Sequence, residues 1–224
     1  MQNNVVKNEF DIKAELYESN RLAQWYKAHA QEITSHCPTF NNGDILDVGC
    51  ATGYQLRLLS QSHPEANLVG VDLSPKMTQQ AEMHCTQSMQ RFHFITDDWE
   101  NLSPENHAFL EKFKFKLIIC ANTVHYFVDP HRAIRRMYEM LDTDGMLLVL
   151  EREKSSSPLT LLWGFIHRHF IKDQVEFYAA DTITGYFSQS GFENVQVVST
   201  IKKYFWKGKL FTSIAIIKGN KLNG

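Results

Sequence analysis

Long apolar runs, an excess of charge of either sign, paired cysteines and turn-rich segments are all scarce in this chain, and each scarcity removes a class of protein. No apolar stretch approaches the roughly 18 residues of a membrane span; the nearest, residues 159–166 and 210–217, are far too short. The first ten residues lack the basic flank and apolar run of a signal peptide. Lys and Arg number 23 against 25 Asp and Glu, for a formal net charge of −2 and a pI near 6.5. No global field therefore recruits nucleic acid or an anionic membrane. The four cysteines, Cys37, Cys50, Cys85 and Cys120, form no C-x-x-C pair, which excludes a disulfide scaffold or zinc knuckle and predicts a reducing, cytoplasmic setting. With 11 Gly and 6 Pro in 224 residues, collagen-like and low-complexity readings fall as well.

What is present is an ordinary globular composition, 43% hydrophobic, of a size that one α/β core can organise. Residues 10–35 carry a loose helical pattern that predicts one or two amphipathic helices ending before Cys37-Pro38. Short apolar runs at residues 45–48, 68–71, 92–95, 115–120 and 146–150 alternate with helical segments. Ser74-Pro75 and Asp129-Pro130 supply N-caps with Pro at the first helical position, and Asp144-Gly145 predicts a turn into the fifth strand. Two final strands flank Lys207-Gly-Lys209. This order predicts a doubly wound, mostly parallel α/β sheet of seven strands with an antiparallel C-terminal strand and an N-terminal helical cap. The expected parts are a cap at 1–37, a cofactor core at 38–151, an acceptor-side helical insertion at 152–187 and a completing hairpin at 188–224. In such sheets ligands bind beyond the carboxyl ends of the strands.

Asp47-Val-Gly-Cys-Ala-Thr-Gly53 has small residues where a strand must turn sharply and let its backbone approach a ligand. The dinucleotide fingerprint needs a small residue where Tyr54 stands, and a P-loop needs a Gly-Lys-Ser/Thr ending that Gly53-Tyr54-Gln55 lacks. A Gly-poor turn flanked by acids suits a ligand with positive rather than polyphosphate charge. Asp72 lies 23 residues beyond Gly49, close to the roughly 20 expected of an acid that grips ribose hydroxyls. Asp98 and the Trp99 backbone follow the third strand, where they can read an adenine edge. Together these features predict a cationic adenosine ligand.

In that order, Ile45-Leu-Asp-Val-Gly-Cys-Ala-Thr-Gly53, Val69-Gly-Val-Asp-Leu-Ser-Pro-Lys-Met77, Asp98, residues 115–127 and Leu141-Asp-Thr-Asp-Gly-Met-Leu-Leu-Val149, the chain resembles class I S-adenosylmethionine-dependent methyltransferases. The resemblance is to the small-molecule, methyltransferase-11/25-like type. It implies S-adenosyl-L-methionine as cofactor and S-adenosyl-L-homocysteine as product. It further implies that Gly49, Cys50, Ala51 and Gly53 face the methionine part, with Asp47 helping to hold its amino group. Asp72 would bind the ribose, Leu73 and Met77 would pack on adenine, Asp98 and Trp99 would read its edge, and Ala121 would line the site. Ala51 stands where the family usually has Gly, an added methyl that a negative φ would accommodate. Lys116 replaces the usual acid at the amino end of the fourth strand, away from the site.

His125, in Asn122-Thr-Val-His-Tyr126, has two readings. Neutral imidazole can take a proton from an acceptor hydroxyl or amine as general base; alternatively it hydrogen-bonds locally and shapes the pocket. Tyr17, Arg21, Tyr126, Trp163 and Tyr178 are candidate acceptor-binding residues, and the aromatic content of residues 152–187 points to an apolar or aromatic small acceptor or to a packed lid. His167 and His169 point to different helix faces with no acidic or Cys partner nearby, so no metal is expected. The Lys202 to Lys209 segment interleaves basic and aromatic residues, but lysines guarding strand edges explain it better than nucleic acid. The expected function is methyl transfer to a nucleophilic O, N, C or S of a small, weakly charged molecule, by a monomer or homodimer without membrane partners. The alternatives are a cofactor-binding module without turnover and an enzyme acting on RNA or protein.

Overall fold

The computed structural model describes residues 2–19, 23–85, 91–153, 176–205 and 209–222 of the chain. Arg21, Trp163 and the remainder of residues 154–175 lie outside the described residues, as do the histidines at 167 and 169.

Two helices, α1 (Gln2–Lys13) and α2 (Ala23–Ser35), precede the sheet, joined in part by a 3-10 turn at Ala14–Leu16. Then β1 (Asp44–Val48), α3 (Tyr54–Ser62), β2 (Leu68–Asp72), α4 (Pro75–His84) and β3 (Phe92–Thr96) follow. The chain continues through α5 (Pro104–Leu110), β4 (Phe115–Ala121), α6 (Pro130–Met140) and β5 (Leu141–Arg152). It closes with α7 (Ala180–Gln189), β6 (Glu193–Phe205) and β7 (Lys209–Lys221). The sheet runs β3-β2-β1-β4-β5-β7-β6, parallel from β3 to β5, with β7 antiparallel to both of its neighbours. The strand order reverses between β1 and β4, which opens a crevice at their carboxyl ends.

Alternate residues of each strand feed the two faces, and both faces are buried. Leu46, Val48, Ile118, Cys120, Leu147 and Val149 pack with Ala133, Ile134 and Met137 of α6 and Ile183 and Phe187 of α7. Ile45, Leu117, Ile119, Leu148 and Leu150 pack with Ile33 of α2 and Leu56 and Leu59 of α3. Burial on both faces explains why these strands read as continuous apolar runs rather than alternating ones.

Two sequence expectations are corrected. The N-terminal helix begins at Gln2 rather than near Phe10: residues 2–9 are too polar to show an apolar stripe, but Asn3, Val6 and Phe10 share the face turned to the strand ends. Asp144-Gly145 is not a turn into a strand but lies inside β5, which starts at Leu141. The register slips there between Phe115 and Leu117, and Asp144 takes φ +59, as a bulge allows. Lys116 sits at the amino end of β4 paired with Asp142 at 3.2 Å, as expected of a residue remote from the site. No helix among the described residues is long and apolar enough to cross a membrane.

Candidate functional site

The turns that follow β1, β2, β3 and β4 converge on one cleft, roofed by α1, the 17–18 segment and α2. It takes in about 1230 Å³ of space between atoms, open solvent at its mouth included.

The turn after β1 is shaped by close packing. Gly49 has φ +79, and a Cβ there would collide with the Thr123 side chain, so only glycine lets this turn approach the one after β4. Gly70 of β2 leaves the room that Cys50 fills, a Cβ there lying 2.6 Å from the Cys50 sulfur. Ala51 overturns its expectation: its φ is +45, not negative, so its Cβ is carried in a region where L-residues are strained. The position is held by its N–H, which donates to Asp72 Oδ2 at 2.8 Å.

Six acids line the cleft, Glu18, Asp47, Asp72, Asp97, Asp98 and Glu100, against one base among the described residues, Lys27. Three of the six are committed to structure. Asp97 accepts from the Ser103 N–H and the Asn106 amide, which hold it below the usual carboxylate range against the opposing effect of burial. Glu100 accepts from the N–H groups of Val128 and Asp129 and so shapes the loop after β4. Glu18 accepts from Thr52 Oγ1 at 2.6 Å and from Arg57 at 2.7 Å, bolting the 17–19 segment to the glycine turn.

The other three face ligand space. Asp47 is 3% exposed, and no hydrogen-bond donor among the described residues meets its carboxylate; burial, and then repulsion from Asp72, push it up to about 8. A buried acid without a partner is costly unless a cation neutralises it. Asp72 is raised to about 6 by burial, partly offset by the N–H groups of Ser74 and Ala51. Asp98 accepts from the Asn3 amide at 2.6 Å, from Asn101 at 2.8 Å and from the Glu100 N–H. A donor set of this kind, one buried unpaired carboxylate and two more at neighbouring strand ends, fits a ligand that bears a cation and several N–H and O–H donors.

Gly49, Cys50, Ala51, Leu73, Trp99 and Ala121 line the cleft as expected, and so do Tyr17 and Tyr126. Gly53 and Met77 do not. Gly53, at φ +72, precedes the first residue of α3, and Met77 is fully buried behind the turn as a core residue of α4. Tyr178 is also away from the lining, packed 6.2 Å from Tyr186. On the side toward β4, the rings of Phe10, Tyr17, Tyr26, Tyr126 and Phe127 form an aromatic wall. Tyr17 and Tyr26 stack at 4.9 Å, and burial raises both phenols.

His125 lies just behind this wall, 9% exposed, its ring 4.1 Å from Tyr126 and 5.6 Å from Phe177. Its Nδ1 lies 2.7 Å from Glu151 Oε1, and the fully buried Glu151 also accepts from the N–H groups of His125 and Arg152. No sequence motif points to Glu151; the one signal that marks it is a carboxylate closing an apolar strand at Leu150-Glu151.

A family model described as a methyltransferase domain matches residues 17–197, and the chain belongs to that family. A malonyl-[acyl-carrier protein] O-methyltransferase of Priestia megaterium is 33% identical over 146 residues, covering 64% of this chain and 50% of that protein. The chain spans about half the length of the curated relatives it matches. Among solved structures, magnesium protoporphyrin IX methyltransferase from Synechocystis PCC 6803 with bound SAH superposes with a TM-score of 0.70 at 16% identity, over 97% of this chain and 99% of that one. A [4+2]-cyclase superposes with a TM-score of 0.73 at 14% identity, over 100% of this chain and 98% of that one. At these identities the likeness is one of fold.

Proposed function

We propose that this member of the methyltransferase-domain family binds S-adenosyl-L-methionine in the acid-lined cleft and directs its methyl group to a nucleophile on a small molecule. The observation that carries the reading is Asp47, a buried carboxylate without a partner among the described residues, facing a cleft that Asp72 and Asp98 also line from the next two strand ends. Asp47 offers the counter-charge for the cofactor's ammonium, and the backbone of Gly49, Cys50 and Ala51 lies beside it. Asp72 accepts from the ribose hydroxyls, Leu73 packs on adenine, and Asp98 with Trp99 reads the adenine edge. Gly53 and Met77 support the turn and α4 from behind. When bound, the cofactor supplies a methyl group on a cationic sulfur, and the chain's task is alignment, which alone can remove roughly 7–11 kcal/mol of barrier.

The aromatic wall from Phe10 to Phe127 favours an apolar or aromatic acceptor body on the side away from the acids. An O-methyltransferase among the relatives supports an oxygen nucleophile. His125, held at Nδ1 by Glu151 just behind the aromatic wall, is the candidate in this reading to take up the acceptor's proton. Calorimetric titration with S-adenosylmethionine and S-adenosylhomocysteine tests the cofactor: saturable binding that Asp47→Asn and Asp72→Ala abolish is expected, and no heat at millimolar ligand overturns it. Accumulation of S-adenosylhomocysteine with a panel of phenols, carboxylates, amines and thiols then separates an enzyme from a silent binding module.

A further inference from the structure

The other five arginines among the described residues each donate to a carboxylate or a backbone oxygen. Arg152, the last residue of β5, is the exception. Its backbone N–H is taken by Glu151, but its guanidinium has no hydrogen-bond acceptor among the described residues, and Nε is sealed from solvent without a partner. The guanidinium carbon lies 5.5 Å from the ring of Trp25 and 5.3 Å from that of Phe177. Such cation–π contacts stabilise the charge but leave its N–H donors unmet, because a ring face offers no carboxylate or carbonyl oxygen. The edge carrying the two terminal nitrogens remains, and that edge is built for two parallel hydrogen bonds to a planar anion.

Its place in the fold decides what anion that is. Arg152 projects from the carboxyl end of β5, next to the residue that holds His125, and it shares the Phe177 ring with His125. It is also near enough to Tyr26, in the aromatic wall, for its charge to favour that phenol's ionisation. The six acids of the cleft lie on the strands and segments of the opposite side. Arg152 does not itself line the acid-rich cleft but stands beyond its aromatic wall, beside His125, and a cation there with no hydrogen-bonded acceptor among the described residues favours one negative charge at that end.

We propose that Arg152 is the anion-binding residue of the acceptor site and that the acceptor carries a carboxylate, held in the plane of the guanidinium. This rests on the acceptor reading above. The carboxylate engages both terminal nitrogens, and the rest of the acceptor lies toward Tyr126 and His125. A weakly charged acceptor remains consistent with the chain's near-neutral balance, since one charge meets one charge.

The test uses the full chain saturated with S-adenosylhomocysteine and titrated calorimetrically with benzoate, benzamide and phenyl phosphate. Benzoate is expected to bind saturably and benzamide about tenfold or more weakly, as the loss of a charge-assisted bidentate contact requires. Arg152→Gln is expected to erase the preference for the acid, Arg152→Lys to keep part of it, and neither to change the affinity for S-adenosylhomocysteine. Equal binding of benzoate and benzamide to the unmodified chain, or an acid preference that survives in Arg152→Gln, overturns the proposal. A preference for phenyl phosphate over benzoate overturns the carboxylate in favour of a phosphate. If Arg152→Gln weakens S-adenosylhomocysteine instead, the arginine serves the cofactor's own carboxylate and the proposal is wrong. Failure of the unmodified chain to bind S-adenosylhomocysteine undoes the cofactor reading, and the benzoate titration repeated without it still decides the role of Arg152.

Discussion

The Nδ1 of His125 lies 2.7 Å from the Oε1 of Glu151, and both side chains are almost sealed from solvent. A carboxylate in that position accepts the proton of Nδ1 and so fixes the tautomer in which Nε2 carries the lone pair. The pair is set by β5 and the 3-10 turn Val124–Tyr126, two elements locked together by the Asn122 N–H bond to the Leu150 carbonyl.

If His125 takes the acceptor's proton, His125→Ala lowers kcat by about a hundredfold or more while leaving binding of S-adenosylhomocysteine unchanged. Glu151→Gln is expected to lower kcat less, because the imidazole keeps its place but loses the charged acceptor for its Nδ1–H. A turnover rate in His125→Ala within severalfold of the original removes the base and leaves alignment as the chain's whole contribution.

Asp47 makes the ligand-free chain sensitive to pH. Burial raises its carboxyl to about 8 from an ordinary value of about 4, so the folded state prefers the protonated form. Stability contributed by that preference is complete at low pH and is lost as the pH climbs toward 8. Thermal unfolding without cofactor is expected to show Tm falling between pH 6 and pH 8, and Asp47→Asn to flatten that slope. A cationic ligand reverses the preference, so binding near pH 7 is expected to release a proton, read as a dependence of the calorimetric heat on the buffer's ionisation enthalpy.

Ala51 carries a side chain at φ +45, where glycine is free of strain. Ala51→Gly is expected to stabilise the chain by up to about 1 kcal/mol, which at this size raises Tm by roughly 2–4 °C. The Ala51 N–H bond to Asp72 is a backbone contact and survives the change, so cofactor affinity should hold or improve. A fall in Tm would mean that the methyl group packs usefully at this turn.

The strand order and the cofactor side of the cleft were legible because their determinants are local. Apolar runs such as residues 45–48 and 68–71 are buried on both faces, so length and composition mark them without any knowledge of their partners. Asp47 stands one residue before the end of its run, Asp72 closes the next and Asp98 follows the third, and a strand end is a position that the sequence itself numbers. The N-cap at Ser74 likewise follows from a side chain bonding three residues ahead, to the Met77 N–H.

The rest depends on contacts between segments far apart in the chain. Nothing near Ala51 announces a positive φ; the turn is forced by Thr123 pressing on Gly49 and by Asp72 holding the Ala51 N–H. Glu18 looks like an exposed helix residue until Arg57 and Thr52 meet it, and residues 2–9 form a helix with one side against the strand ends. His125 reads as base or filler until Glu151, 26 residues on, closes on its Nδ1. The sequence by itself determined the alternation of strands and helices and the acids that end the strands, because these depend on periodicity and spacing. Tertiary structure alone decided that Asp47 stays unpaired and how His125 and Arg152, across the cleft from it, are held, because a charge acquires its role only from the partners that folding grants or withholds.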